Sequence, residues 1–432
     1  MKYSTQAQHS IMYSSSPKEH FSDRLLASAA ISALMLLGSV GMLGPGTMLI
    51  GELPRQRQRA GALIGASLWV SSAVSVGLGV AFVLLAPVMT AEFGPLSQST
   101  GRAALFALGV GLTAFALVLD QALIGLLRGW LQWGRNAIFA ATKLAALLAA
   151  GLWLARSGLT IYATWVAGNL FSLVALAGIL AHQGVRVSPF RPQWGLLRGL
   201  GRAALAHHAL NLLLQAPGQI LPIVATALFT AKANASYYVA WMVASLVFIV
   251  PSAFSTVLYA LGAADPSALA HKMRLTIGLS LAVGAAASGV LLAGAERVLG
   301  LFGASYALQA GWCLRFLSLG IFPLTIRAHY IAICRVRGQL AVATKLMAIG
   351  CLLELLLAGV GGQIGGLAGL GLGWLIAACV EALFMARTVY AAVALPAREV
   401  QARLGAQGSS VSLSGLPESA AGPEPAEGEA EG

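Results

Sequence analysis

The chain has 432 residues, of which 58% are hydrophobic and only 10% are charged, and it carries a formal net charge of +12. This composition excludes a water-soluble domain and predicts an all-α polytopic membrane protein, because apolar runs long enough to cross a bilayer, about 20 residues each, recur along it. The runs do not alternate polar with apolar residues, which excludes a transmembrane β-barrel. The positive charge is typical of cytoplasmic loops and does not predict nucleic-acid binding.

The segment 1–24 is polar and rich in serine, and it lacks the apolar core of a secretory signal. After it we predict an N-terminal lobe of five helices (25–182), a basic cytoplasmic linker (183–202) and a C-terminal lobe of six helices (203–392). The acidic tail 404–432 is expected to be disordered, because it cannot bury apolar area. The predicted membrane helices, about eleven, are 25–50, 61–87, 103–127, 137–155, 160–181, 203–230, 237–262, 275–295, 312–333, 340–361 and 365–390.

The sequence Ala-Thr-Lys-Leu occurs twice, at 141–144 and 343–346. Each copy is predicted to follow a loop with two arginines and to place a lysine near the start of a membrane helix. A repeat displaced by six helices predicts two pseudo-symmetric halves in the same orientation, related by an axis along the membrane normal. The partner of helix 203–230 should then precede Leu25, and because 1–24 is too polar to supply it, a first helix is expected to be missing. The arginines concerned are Arg128 and Arg135, then Arg335 and Arg337.

Basic residues concentrate in alternate loops, so the positive-inside rule places those loops and the C-terminus in the cytoplasm. The glycine-rich stretch 361–373 shows small-xxx-small spacing, which favours close helix packing, and no phosphate-binding loop follows it. Cys313, Cys334, Cys351 and Cys379 lack metal-ligand spacing. No zinc-protease or nucleophile-elbow motif occurs either. We therefore predict no enzyme activity, no metal and no cofactor.

Polar residues recur every three or four positions in the helix 203–230, which places them on one helix face. Pro217 and Pro222 interrupt the same helix and are expected to bend it. A bent helix with a polar face is typical of the wall of a water-accessible cavity, although interhelical hydrogen bonds would give the same pattern. The polar face comprises His208, Asn211, Gln215 and Gln219.

Charged side chains within membrane segments usually face a bundle interior or a cavity. Arg327 is predicted to face a cavity or to pair with a nearby carboxylate, and Lys143 and Lys345 either present positive charge to an anionic ligand or extend to the cytoplasmic surface. Three carboxylates lie well inside apolar runs, and each either carries a coupling proton or is the fixed partner of one of these cations. They are Asp120, Glu354 and Glu381. Asp120 is two turns from Arg128, so these two are not expected to pair.

Five short stretches of the chain resemble the polysaccharide and lipid-linked oligosaccharide flippases of the multidrug/oligosaccharidyl-lipid/polysaccharide exporter superfamily. They are Gly-Glu-Leu-Pro-Arg at 51–55, Leu-Asp-Gln-Ala-Leu-Ile-Gly-Leu-Leu-Arg-Gly at 119–129, Tyr-Tyr-Val-Ala-Trp-Met at 237–242, Phe-Gly-Ala-Ser-Tyr-Ala at 302–307 and Arg-Val-Arg-Gly at 335–338. The resemblance implies two six-helix lobes around a cavity that opens to alternate sides of the inner membrane. The absent first helix departs from that pattern.

The implied cargo is a polyprenyl-pyrophosphate-linked oligosaccharide, moved between leaflets of the lipid bilayer and delivered to polysaccharide polymerases as partners. The resemblance assigns Arg327, Lys143 and Lys345 to the pyrophosphate, and the polar face of helix 203–230 to sugar hydroxyls. A multidrug antiporter of the same superfamily is the alternative, for which an aromatic and acidic cavity would be expected. A membrane-embedded polymerase or ligase is a further alternative, but the predicted outer loops are short.

Overall fold

The computed structural model describes residues 30–89, 97–153, 158–183 and 194–394. Within these ranges all regular secondary structure is helical, as the composition predicts. The helices are α1 (Ala30–Gly41), α2 (Pro45–Arg55), α3 (Ala60–Met89), α4 (Thr100–Gly125), α5 (Gly129–Trp153), α6 (Gly158–His182), α7 (Trp194–Leu228), α8 (Ala231–Ala264), α9 (Leu269–Gly300), α10 (Ala304–Leu319), α11 (Ile321–Val336) and α12 (Leu340–Ala394). The predicted segments 1–24 and 404–432 lie outside the described residues.

The described helices account for eleven membrane crossings, which confirms the predicted number. Nine helical stretches are long and apolar enough to span a bilayer, with α10 and α11 forming one of them. The pair α1 and α2, bent by 47° at a short break, forms a tenth span. The eleventh arises because α12 reverses direction at Gly365 and Gly366, whose backbone angles are not helical. Its first limb is 340–364 and its second limb is 367–394.

Glycines hold the two limbs of α12 together. A Cβ atom built on Gly361 would lie 2.2 Å from the carbonyl oxygen of Gly369, and one built on Gly373 would lie 2.0 Å from that of Leu357. No larger residue fits where two backbones approach this closely. The predicted role of the glycine-rich stretch in helix packing is therefore confirmed.

Two kinds of turn recur at equivalent places in the described parts of the two halves. A three-residue 3-10 turn, Arg57–Arg59, joins α2 to α3, and its counterpart Pro266–Ala268 joins α8 to α9. In the second turn the Ser267 hydroxyl donates to the carboxylate of Asp265, which lowers the pKa of Asp265.

The second pair of turns joins α4 to α5 and α11 to α12. The amide of Arg128 donates to the carbonyl of Leu123, and the amide of Gln339 donates to that of Cys334, as in a Schellman motif. Leu127 (φ 58°) and Gly338 (φ 70°) occupy the left-handed position of the two turns. The two halves therefore share a topology, and Gly129 in α5 is equivalent to Leu340 in α12.

This equivalence corrects the register of the predicted repeat. Lys143 follows the start of α5 by fourteen residues, whereas Lys345 follows the start of α12 by only five. The two Ala-Thr-Lys-Leu copies are therefore not equivalent, although the six-helix displacement that they suggested is correct. The error arose because α5 was predicted to begin at 137 and begins at Gly129, so that Arg135 lies inside the helix. The helix predicted at 203–230 likewise begins earlier, at Trp194.

Candidate functional site

A cavity of about 320 Å³ lies within the second lobe, enclosed by α7, α8, α11 and α12. Three aromatic rings form one wall: the centroid of Trp374 lies 5.3 Å from that of Trp241 in an edge-on arrangement and 5.7 Å from that of Phe248. Such contacts fix ring orientation and add to the apolar burial. The polar lining residues are Gln215, Gln219, Ser252, Ser255, Thr256, Arg327, Arg335 and Glu354.

Arg327 of α11 lines this cavity and also forms ion pairs with both buried carboxylates of α12, so the two interpretations predicted for it hold together. Its Nη1 donates to Oε1 of Glu354 and, at 3.3 Å, to Oε2 of Glu381. The side chains of the two glutamates are 1% and 3% exposed. With both ionised, the three side chains carry one net negative charge, so a single proton or an external cation neutralises them.

Trp374 connects this charge cluster to the aromatic wall. Its indole Nε1 donates to Oε2 of Glu354 at 3.0 Å, while its ring contacts Trp241 and Phe248. A change in the charge or position of Glu354 therefore acts directly on the ring that a ligand in the cavity would touch.

A glycine makes room for Glu381. A Cβ atom on Gly350, in the first limb of α12, would lie 2.5–2.8 Å from the carboxylate atoms of Glu381 in the second limb. Oε1 of Glu381 is buried without a hydrogen-bond partner in the described structure. The close packing of the α12 limbs thus places one unsatisfied carboxylate oxygen beside Arg327.

The predicted polar face of α7 divides between two locations. Gln215 and Gln219 line the cavity, as predicted for the wall of a water-accessible space. Asn211 instead contacts the first lobe, and the backbone of His208 lies against Gly44 in the break between α1 and α2. Both prolines lie inside α7, which the structure gives as one continuous helix.

Three polar residues lie where the two lobes meet, among the packing contacts of α2 with α7 and α8, and we call them the latch. They are Thr47 of α2, Asn211 of α7 and Arg335 of α11. Nδ2 of Asn211 donates to Oγ1 of Thr47 at 2.8 Å, and Nη2 of Arg335 donates to Oδ1 of Asn211 at 2.7 Å. Nearby, Arg55 donates to the carbonyl of Val336 at 2.9 Å. The latch lies toward the arginine-rich end of the molecule, which we call the basic end, and Arg335 places it at the edge of the cavity.

Tight packing supports the latch. A Cβ on Gly51 of α2 would lie 2.1 Å from the hydroxyl oxygen of Tyr259 of α8, so the two helices approach as closely as the side chains allow. The same hydroxyl lies 3.5 Å from Nε2 of the buried His207, and the guanidinium of Arg335 lies 6.0 Å from the Tyr259 ring centroid. A further cavity of about 570 Å³ lies beside this interface, between the α4–α5 turn and α8.

Asp120 has a fixed partner that was not among those predicted. Its carboxylate accepts two hydrogen bonds from Arg135, at 2.7 and 2.8 Å, and one from Asn136. Arg135 is only 4% exposed and also contacts Asn169 and Ser172 of α6. Buried bidentate pairs of this kind are strongly destabilised when one partner is removed.

The two lysines assigned to an anionic ligand do not line the cavity of the second lobe. Lys143 of α5 lies over the rings of Phe139 and Trp165, with its Nζ 5.2 and 4.5 Å from their centroids. Lys345 is exposed near the start of α12. The two lysines therefore lie apart from Arg327, and their assignment to an anionic ligand stays a prediction.

Several site residues were not identified from the sequence, namely Thr47, Arg135, Trp241, Phe248, Arg335 and Trp374. The sequence did contain an indication for Arg135. Asp120 and Arg135 are equally far along the chain from the turn at 127–128, so the antiparallel helix hairpin formed by α4 and α5 brings them together. The aromatic wall has no such signal, because tryptophan is common in any membrane helix.

No protein-family model matches the chain, and no curated protein sequence matches it. Solved structures of other proteins do match this chain. The crystal structure of MATE in the bent conformation has 15% sequence identity and a TM-score of 0.68, over 91% of this chain and 92% of that chain.

Two further solved structures are described as a multidrug resistance MATE family transporter of the MOP superfamily. The outward-facing conformation has 14% identity and a TM-score of 0.66, over 85% of this chain and 88% of that chain. The inward-facing conformation has 15% identity and a TM-score of 0.61, over 86% of this chain and 91% of that chain. At these identities the likeness establishes that this chain has the fold of MATE transporters.

Replacing Gly350 with alanine should displace the Glu381 carboxylate from Arg327, because the new Cβ overlaps it. We expect Gly350→Ala to lower the free energy of unfolding by about 1–3 kcal/mol, as overpacking of a core does. Gly359→Ala on the same limb is the matched control, since a Cβ there meets no atom within 4 Å. Thermal unfolding of the purified protein in detergent measures both. Equal melting temperatures for the two variants would contradict the contact.

Proposed function

We propose that this protein is an alternating-access membrane exporter whose structure has the lobes closed at the basic end. The latch carries the proposal, because beside the cavity the lobes are joined by two described hydrogen bonds, Asn211 to Thr47 and Arg55 to the carbonyl of Val336, that a rigid-body rotation of the lobes can break.

The orientation in the membrane follows from charge. Arginines at the ends of α2, α4 and α11 lie on the same side as the latch, and the positive-inside rule places that side in the cytoplasm. The protein then lies in the inner membrane with its C-terminus cytoplasmic, and the cavity faces outward.

The first candidate substrate is an amphipathic organic cation, as in a multidrug antiporter. Trp241, Phe248 and Trp374 offer aromatic faces, which attract cations, and Glu354 supplies a negative charge close to them. The described lining of the cavity carries less free positive charge than the sequence suggested for a site that binds pyrophosphate. Arg327 was the arginine predicted to line it, and two carboxylates neutralise this arginine.

A lipid-linked oligosaccharide flippase, with polysaccharide polymerases as partners, is the second candidate. Arg335 favours it: this guanidinium lines the cavity, and no ion pair of the described residues includes it. Its buried Nε has no hydrogen-bond partner, so an anionic ligand would satisfy it.

Proton coupling would use Arg327, Glu354 and Glu381. A proton entering from the outer side neutralises the net negative charge of the cluster, and a cationic substrate in the cavity does the same. The two therefore compete, which is the thermodynamic requirement for antiport. Asp120, held by Arg135 in the first lobe, remains a second candidate for the coupling proton.

Transport by purified protein in proteoliposomes tests the proposal. A cationic aromatic dye should accumulate when a pH gradient is imposed, and Glu354→Gln or Glu381→Gln should lower the rate about tenfold or more, because the site for the proton is lost. Glu296→Gln is the control, since that glutamate is 63% exposed and pairs only with Arg315 among the described residues.

The same vesicles, loaded with a fluorescent polyprenyl-pyrophosphate sugar, distinguish the two substrates. Dye transport without movement of the lipid supports the antiporter. Movement of the lipid between leaflets without dye transport supports the flippase, and transport of neither contradicts an exporter.

Locking the latch should stop transport reversibly. In a Thr47→Cys, Asn211→Cys variant that also carries Cys379→Ala, oxidation is expected to join α2 to α7, because the two native side chains are in hydrogen-bond contact. We expect transport to be abolished on oxidation and restored by a reducing agent. The two single-cysteine variants serve as controls, and full activity of the cross-linked protein would show that the lobes need not separate there.

A further inference from the structure

Lys143 has no counter-ion in the described structure. It lies well inside α5, and the ion pairs formed by the described residues do not include it. A lysine at this depth is costly in hydrocarbon, so it normally faces a protein cavity or water. What stabilises it here is the pair of aromatic faces of Phe139 and Trp165.

The internal symmetry shows which position of the second lobe corresponds to Lys143. Because Gly129 and Leu340 are equivalent, the residue fourteen positions into α12 is Glu354. Both lie about 21 Å along their helices from the basic end, at a rise of 1.5 Å per residue. The lysine and the glutamate therefore occupy the same depth in the two lobes.

The tryptophans correspond as well. In the first lobe Gly168, three residues after Trp165, packs against Lys143. In the second lobe Gly350 of the first limb lies against Glu381 of the second. In the antiparallel register that this contact defines, the position opposite Glu354 is Ala377, three residues after Trp374.

Each lobe thus carries a charge beside a tryptophan at one equivalent site, with opposite signs. Trp374 stabilises a carboxylate by donating its indole N–H, whereas Trp165 stabilises an ammonium group with its ring face.

We infer that Lys143 and Trp165 form an anion-binding subsite in the first lobe, opposite the aromatic wall and carboxylates of the second. This inference rests on the proposed exporter function and specifies its substrate as a zwitterionic amphiphile. The cationic aromatic part of that molecule occupies the cavity near Trp374, and its carboxylate or phosphate binds Lys143.

Gly129 and Gln132 of α5 line the cavity beside the interface between the lobes, and Lys143 follows Gln132 by about three helical turns, on the same face of α5. That face is directed toward the second lobe, so one ligand between the lobes can reach both charges. The unpartnered ammonium group gains a counter-ion on binding, and a charge-assisted contact away from water is among the stronger polar interactions. A purely cationic molecule would leave Lys143 unpaired and would gain nothing from it.

Two dyes that differ in one charge test the subsite. Tetramethylrhodamine, with one cationic xanthylium group and one carboxylate, is a zwitterion, and its methyl ester is a cation with nearly the same shape. In proteoliposomes we expect the wild type to prefer the zwitterion. Lys143→Gln should lower the transport rate of the zwitterion about tenfold, because one charge-assisted contact is lost. The transport rate of the ester should stay close to that of the wild type. Lys143→Arg should restore the preference, and Lys232→Gln, at an exposed lysine, is the control.

An equal loss for both dyes in Lys143→Gln would show that the lysine is structural and would overturn the inference. Unchanged transport of both dyes would overturn it too. If the wild type moves neither dye, the exporter proposal fails, and the subsite is then tested by equilibrium binding of the two dyes to the detergent-solubilised protein. Tighter binding of the zwitterion than of the ester, with the difference abolished by Lys143→Gln, supports the anion-binding subsite. Equal binding of the two dyes to the wild type contradicts it.

Discussion

Charge in a low-dielectric interior is the constraint on which this structure depends. Two glutamates and an arginine lie in membrane-spanning segments of the second lobe, and none of them could remain there alone, because an unpaired buried charge costs several kcal/mol. The hairpin of α12 makes the arrangement possible, since Gly350 leaves space for Glu381 while Glu354 on the facing limb reaches Arg327. The aromatic wall then follows from Trp374, which is fixed by its hydrogen bond to Glu354.

The described residues form two such buried centres, one in each lobe, and the two differ in character. The Asp120–Arg135 pair of the first lobe is balanced in charge and fully hydrogen-bonded, which suits a structural role. The second-lobe cluster has one carboxylate more than it has cations and borders a cavity, which suits a group that gains and loses a proton. The lobes meet near the basic end through the polar latch and the tight packing of α2 against α8.

The architecture could be predicted from the sequence because it depends on local patterns. Apolar run length gave the number of crossings, and charge asymmetry grouped the arginines that the structure places at one end. Register could not be predicted in the same way. A chance match of Ala-Thr-Lys-Leu aligned Lys143 with Lys345. The equivalent turns at Leu127 and Gly338 show instead that Lys143 corresponds to Glu354. A shift of nine residues changes a pair of like charges into a pair of opposite charges, and only three-dimensional contacts reveal it.

A distance measurement tests directly whether the two lobes separate at the basic end. Spin labels on Gln58 and Gln339, exposed residues in the basic-end turns of the two lobes, can be measured by double electron–electron resonance in nanodiscs. We expect a short distance that matches the closed latch and a second, longer distance whose population grows when the pH or the bound substrate is changed. A single distance that is unchanged under all these conditions would contradict alternating access at this interface.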